Sequence, residues 1–355
     1  MHAPIHRLYS ACRHARDQRT ATTLWWHTIG GLITLVLSIL VTPRAPEAQV
    51  PGHISVVGML RPGDTSLDSD PKSSINAFWQ GLRDLGYVEG QTIRLEQRNA
   101  AWQWDRLPSL AAELVQLQPD VIVANTTPGA LAAKQATTTI PIVVAVSEDL
   151  VAEGIVASLA RPGGNITGQN LRDPELAGKR LELLKDAVPT LTQVAVLVHA
   201  ADRAHDRVPG HIAAEAQALG VRLQRVEVDT VETFDRAFGT VASSGAEALM
   251  VMDSAMFNAH RHRILEFART QRLPTVCGVR PYAEAGCLLA YAPDIREMNR
   301  RAAIFVDKIL KGAKPGDLPV EQPAKFELVI NLKTAQALSL TIPPSILFQA
   351  DEVIR

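Results

Sequence analysis

From residue 52 onward the hydrophobic positions switch repeatedly between two periods. Residues 54–60 (ISVVGML) form a short apolar run and read as a buried strand. Residues 71–86 then carry Ile75, Phe78, Trp79, Leu82 and Leu85 at three- and four-residue spacings and stop at Gly86, which predicts a helix. The alternation continues with a strand at 93–97, a helix around 105–117, a strand at 121–124 and a helix opening on Thr127-Pro128, where Pro suits the first turn. A strand at 141–146, a helix around 150–160, the turn cluster 161–165 (RPGGN) and a short strand at 166–170 close this series.

A second series follows. It reads as helix 174–188, strand 193–198, helix 205–219, strand 221–228, helix 231–243, strand 248–252, helix 258–271 and strand 274–279. Strands that alternate with helices must lie parallel, because each return to the same edge needs a crossover. Two such series predict an α/β protein of two doubly wound parallel-sheet lobes. The remainder is less regular: a strand at 287–291, an amphipathic helix at 294–311, a Pro/Gly-rich connector at 312–323, a strand at 326–330, a helix at 331–339 and a last helical turn opening on Ile342-Pro343-Pro344.

Residues 1–50 are of another kind. Five arginines face only Asp17 and Glu47, and residues 29–41 carry no charge. A basic flank, a short apolar centre and then Pro, Ala and small residues make a secretory signal pattern, with a cut near Ala48. An uncleaved anchor and a buried core helix are the alternatives. No lipobox cysteine follows the run. Without this stretch the net charge moves from −1 to −4. So near-even a balance of charge speaks against a nucleic-acid partner. The 46% apolar content excludes disorder, and a single apolar run excludes a polytopic membrane protein. Cys277 and Cys287 could pair in an oxidising compartment, but their strand-like apolar surroundings favour two reduced, buried thiols.

No P-loop, G-x-S-x-G, H-E-x-x-H or G-x-G-x-x-G occurs, so no enzyme and no cofactor are expected. His260 and His262 are two apart and do not share a helix face, so no metal is expected either. In open α/β sheets ligands sit beyond the carboxyl ends of the strands. The residues found there include Asn125, Thr126 and Thr127, then Ser147, Glu148 and Asp149, then His199, Asp253, Phe257, Arg280 and Tyr291. Asn125-Thr126-Thr127, at a strand-to-helix turn, is either a carboxylate seat or an ordinary N-cap. Ser147 would assist it, Asp253 or Asp149 would meet an ammonium group, and Phe257 and Tyr291 would flank an apolar part. Trp102 and Trp104 read as the cap of a surface loop.

The segments 81–100 (GLRDLGYVEGQTIRLEQRNA), 106–124 (RLPSLAAELVQLQPDVIVA), 154–168 (GIVASLARPGGNITG) and 320–347 (VEQPAKFELVINLKTAQALSLTIPPSIL) resemble those of ABC transporter substrate-binding proteins, often labelled tryptophan/tyrosine transport components. The resemblance runs from about residue 54 to the end. It implies a type I periplasmic-binding fold, with a ligand between two lobes and crossings near 166–172, 279–284 and 320–327. Lobe 1 would then hold 51–168 and 284–322, and lobe 2 would hold 169–283 and 323–355. It further implies a periplasmic monomer that binds a small-molecule solute, closes about a hinge and docks on an ABC permease in the inner membrane. A ligand-sensing module for a membrane signalling partner is the other reading. Ser147-Glu148-Asp149-Leu150-Val151, His199-Ala200-Ala201 and Asn299 depart from the family's usual text at the cleft rim.

Overall fold

The apolar run that opens the body becomes β1 (Ser55–Arg61), and its alternate residues feed two different cores. Val57 and Met59 pack on one face and Leu60 on the other, as the two-residue period of a strand requires. This computed structural model describes residues 54–63, 73–171, 173–202, 205, 210 and 212–355; the export signal expected in 1–50 lies outside the described residues.

The first sheet has the order β2-β1-β3-β4-β5 and is parallel throughout, with β2 (Ile93–Asn99), β3 (Val121–Ala124), β4 (Ile142–Val144) and β5 (Ile166–Gly168). Helices α2 (Leu107–Gln116) and α3 (Thr127–Ala136) cover one face through Leu110, Leu114 and Ala130. The other face is covered by α1 (Ser74–Asp84), through Phe78 and Leu82.

The second sheet has the order β12-β11-β10-β9-β8-β6-β7. Its strands are β6 (Gln193–His199), β7 (Arg222–Val228), β8 (Ala248–Val251), β9 (Thr275–Cys277), β10 (Leu289–Ala292), β11 (Glu327–Asn331) and β12 (Glu352–Ile354). Only the β10–β11 pairing is antiparallel among these. The helices between them are α4 (Asp173–Ala187), α5 (Ala213–Ala218), α6 (Phe234–Ser243), α7 (Ala255–Ala259), α8 (Arg261–Thr270) and α9 (Arg280–Glu284). Helix α10 (Ile295–Leu310) belongs to the other lobe, where Ala302, Phe305 and Val306 join the core under α1. Helices α11 (Leu332–Ala337) and α12 (Pro344–Gln349) finish the second lobe.

The chain crosses between lobes three times: after β5, after β10 and before β11. The second crossing differs from expectation. Residues 279–284 form α9 (Arg280–Glu284) and its N-cap, inside the second lobe, because β9 and β10 pair in parallel within one sheet. The chain leaves only after Ala292, so residues 285–292 belong with lobe 2. The first and third crossings touch at the Gln169–Glu321 bridge. Gln169 Nε2 also donates to the carbonyls of Ala145 (3.0 Å) and Met298 (2.6 Å).

Three local expectations are corrected. Residues 150–160 form turns, not a helix; the buried positions Leu150, Ile155 and Val156 do not line one helical face. The helix expected at 258–271 is broken at His260. Cys277 and Cys287 are joined in a disulfide with Cα atoms 6.6 Å apart. The short α9 crossover returns the chain beside the end of β9, so two thiols that each read as apolar core meet there.

Candidate functional site

The carboxyl ends of both sheets face one gap, and side chains from the two lobes meet across it. Trp104, just after β2, lies against His199 at the end of β6, with ring centroids 4.7 Å apart. Glu148, after β4, is buried with Asp202 and His205 of the other lobe, their polar ends within 4.8 Å of one another. The lobes are therefore closed on each other. The trio is a poor cation seat, because His205 has spent both ring nitrogens. Nδ1 accepts from the His199 amide (2.9 Å), and Nε2 donates to the Asp253 carbonyl (2.9 Å).

On the lobe 1 side, Asn125 follows β3 and its Nδ2 donates to Asn299 Oδ1 at 3.0 Å. Thr126 is the N-cap of α3 and accepts from the Gly129 amide at 3.3 Å, the ordinary capping role. Thr127 is buried; its hydroxyl donates to Glu148 Oε2 at 3.0 Å and lies 2.9 Å from Ser147 Oγ. The Thr127 hydroxyl is thus already engaged by the chain's own Glu148 and by Ser147. Asp149 accepts from the amides of Val151 (3.2 Å) and Ala152 (3.0 Å), so it caps a turn.

On the lobe 2 side, Asp253 pairs with the guanidinium of Arg180, which has no exposed surface. Arg180 Nε also donates to the Tyr291 carbonyl at 2.8 Å. The Asp253 side chain keeps 13% of its surface exposed, and it lies so close over Gly278 that a Cβ there would collide with the carboxylate. Arg280 reaches Glu284, Glu327 and Glu352 at the outer strands. Phe257 is fully buried in the lobe 2 core rather than on a cleft wall, because α7 turns its apolar face to the sheet. Tyr291 stacks on Phe326 at 5.9 Å.

His199 is fully buried, and burial with the neighbouring His205 holds its pKa down to about 4. Tyr282 of α9 is buried beside Asp253, and burial raises its pKa well above the ordinary phenol value. Among the described residues, Trp104 Nε1, Asn125 Oδ1, His199 Nε2 and Tyr282 OH are buried without a hydrogen-bond partner. Native interiors rarely leave such atoms unmet, and here they come from both lobes at the strand ends.

Arg180, Tyr282 and Trp104 are not among the expected site residues. Arg180 carried a legible signal: it follows Leu176 and Ala177 by four and three positions and precedes Leu184 by four, so it lies on the apolar stripe of α4.

A family model described as ABC transporter substrate binding protein matches residues 69–354. The chain belongs to that family. Its members bind substrates and are not enzymes, and its fold is that of the type I periplasmic-binding proteins. A curated relative named tyrosine-binding protein, from Clostridioides difficile, is 26% identical over 275 residues, covering 78% of each chain. A solved ABC domain from Streptococcus pneumonia in complex with L-Trp is 24% identical, with a TM-score of 0.77; the match covers 85% of this chain and all of that one. The ligand-free, open structure of a substrate binding protein with adhesive properties from Clostridium difficile is 22% identical, with a TM-score of 0.59; the match covers 85% of this chain and 99% of that one.

Proposed function

We propose that this chain is the solute receptor of an ABC importer, working outside the cytoplasm on an amino acid with an aromatic side chain. The observation that carries the reading is the buried Arg180–Asp253 pair. It presents a partly exposed, charge-balanced carboxylate at the strand ends of lobe 2, beside an aromatic group. Such a carboxylate suits the ammonium group of a zwitterion, with Asn125 Oδ1 accepting from the other lobe. Tyr282 then supplies a donor to an oxygen of the ligand. The tyrosine-binding relative and the solved complex with L-Trp favour this ligand class.

In this account the solute enters between open lobes and bonds to both. Its contacts are complete only when the lobes meet, so binding shifts the population to the closed form. The closed form then engages the permease. The Cys277–Cys287 disulfide is in keeping with an oxidising compartment. Among the described residues no helix is long and apolar enough to cross a membrane. Mass spectrometry of natively purified protein tests the ligand class. An aromatic amino acid bound at near one equivalent supports it, and a co-purified sugar or nucleoside would overturn it.

A further inference from the structure

The turn at residues 100–104 combines features that a surface loop has no need of. Ala101 and Trp102 both hold left-handed backbone angles, with φ of 51° and 64°, where residues other than glycine are strained. Backbone bonds impose that shape: the amides of Ala100, Ala101 and Trp102 donate to the carbonyls of Arg61 (2.9 Å), Gly63 (3.1 Å) and Pro62 (2.8 Å). The Trp102 ring lies where only a glycine leaves room, since a Cβ at Gly63 would stand 2.8 Å from it. The turn is thereby bolted to the end of β1.

Its two rings point into the other lobe. Trp104 packs against the lobe 1 core and against the lobe 2 core, and its ring lies 4.7 Å from that of His199. Trp102 meets His260 edge-on at 6.3 Å. His199 is backed in turn by Phe257 at 5.8 Å. The turn leaves from β2, at the opposite edge of the first sheet from β5, where the first crossing starts. Four strand spacings, about 19 Å, separate the two edges. A contact that far from the crossings resists lobe opening with the longest lever the sheet offers.

We propose that the Trp102–Trp104 turn is a cross-lobe clasp that holds the closed form together, with Trp104 as a positioning residue for ligand retention. This rests on the solute-receptor reading for its biological use, but the contact acts on closure whatever the solute is. Clasp residues stabilise the closed state and not the open one, so removing them speeds ligand escape and does not slow ligand entry. The strain in the turn is then the cost of aiming two indoles across the gap.

The test uses the full chain, freed of bound solute by dialysis, with Trp104→Leu, His199→Ala and the double variant. Small-angle scattering of the ligand-free proteins is expected to give a larger radius for each single variant than for the wild type. Stopped-flow measurements with L-tryptophan and L-tyrosine are expected to give about tenfold faster dissociation, with association unchanged or faster. The double variant is expected to match either single one, since both remove one contact. If Trp104→Leu does not fold, His199→Ala and Trp104→Phe carry the comparison, the latter staying close to wild type. An unchanged radius in the folded variants, or losses confined to association, would overturn the clasp. If wild type binds neither amino acid, the ligand class falls while the scattering still decides the clasp.

Discussion

Removing Arg180 is the sharpest perturbation available in the second lobe. Arg180→Met keeps the length of the side chain on the apolar stripe of α4 and deletes its charge. The interactions that disappear include the pair with Asp253 and the 2.8 Å bond to the Tyr291 carbonyl. Breaking a fully buried pair costs about 3–5 kcal/mol, mostly because the surviving charge is left alone. Asp253 retains 13% exposure, so partial hydration puts this pair at the lower end. An unmet carbonyl adds about 1 kcal/mol, and the new Met contacts give part of that back. The expected loss is about 3 kcal/mol, which for a body of roughly 300 residues lowers Tm by about 5 °C. Urea unfolding and thermal scans of ligand-free protein measure both figures. Adding Asp253→Asn removes the stranded charge and should recover at least half of the loss. A cost below about 1 kcal/mol, or a double variant weaker than Arg180→Met alone, would refute the reasoning.

Gly278→Ala drives a methyl group into the Asp253 carboxylate, so calorimetry should show at least tenfold weaker binding of the ligand. His199 has a folded pKa of about 4 against an ordinary 6.5, so the unfolded chain binds the extra proton first. Its contribution is fully present above pH 6.5 and is lost progressively toward pH 4, by about 3 kcal/mol; urea midpoints across that range should flatten in His199→Phe. The Cys277–Cys287 bond closes a loop of 10 residues. Its removal in a Cys277→Ala/Cys287→Ala variant should cost about 2–3 kcal/mol in urea unfolding, and reductant should then have no further effect.

The fold was legible because buried parallel strands are short apolar runs and their helices show a clear 3.6-residue period. Strands at 54–60, 121–124, 193–198 and 248–252 all lie within a residue or two of β1, β3, β6 and β8. What escaped was long-range. Nothing local in residues 279–284 says that the chain stays in the second sheet for one more strand; that depends on the pairing of β9 with β10. The disulfide escaped for the same reason. Position beyond the strand ends pointed to His199, which meets Trp104 of the other lobe, whereas Asn125 and Asp253 bond to partners within their own lobes. It could not tell that Asp253 is held by Arg180 from a helix far along the chain, or that Thr127 is engaged by Glu148 and by Ser147. Trp102 and Trp104 looked like a loop cap because their partners, His260 and His199, lie in the other lobe.

Calorimetric titration of solute-free protein with the twenty common amino acids, alongside ribose and adenosine, tests the central claim most directly. The account expects saturable binding of one aromatic amino acid near one equivalent, with a negative heat-capacity change from the buried ring, and at least tenfold loss in Asp253→Ala. Tight binding of ribose or adenosine with no response to any amino acid would contradict it.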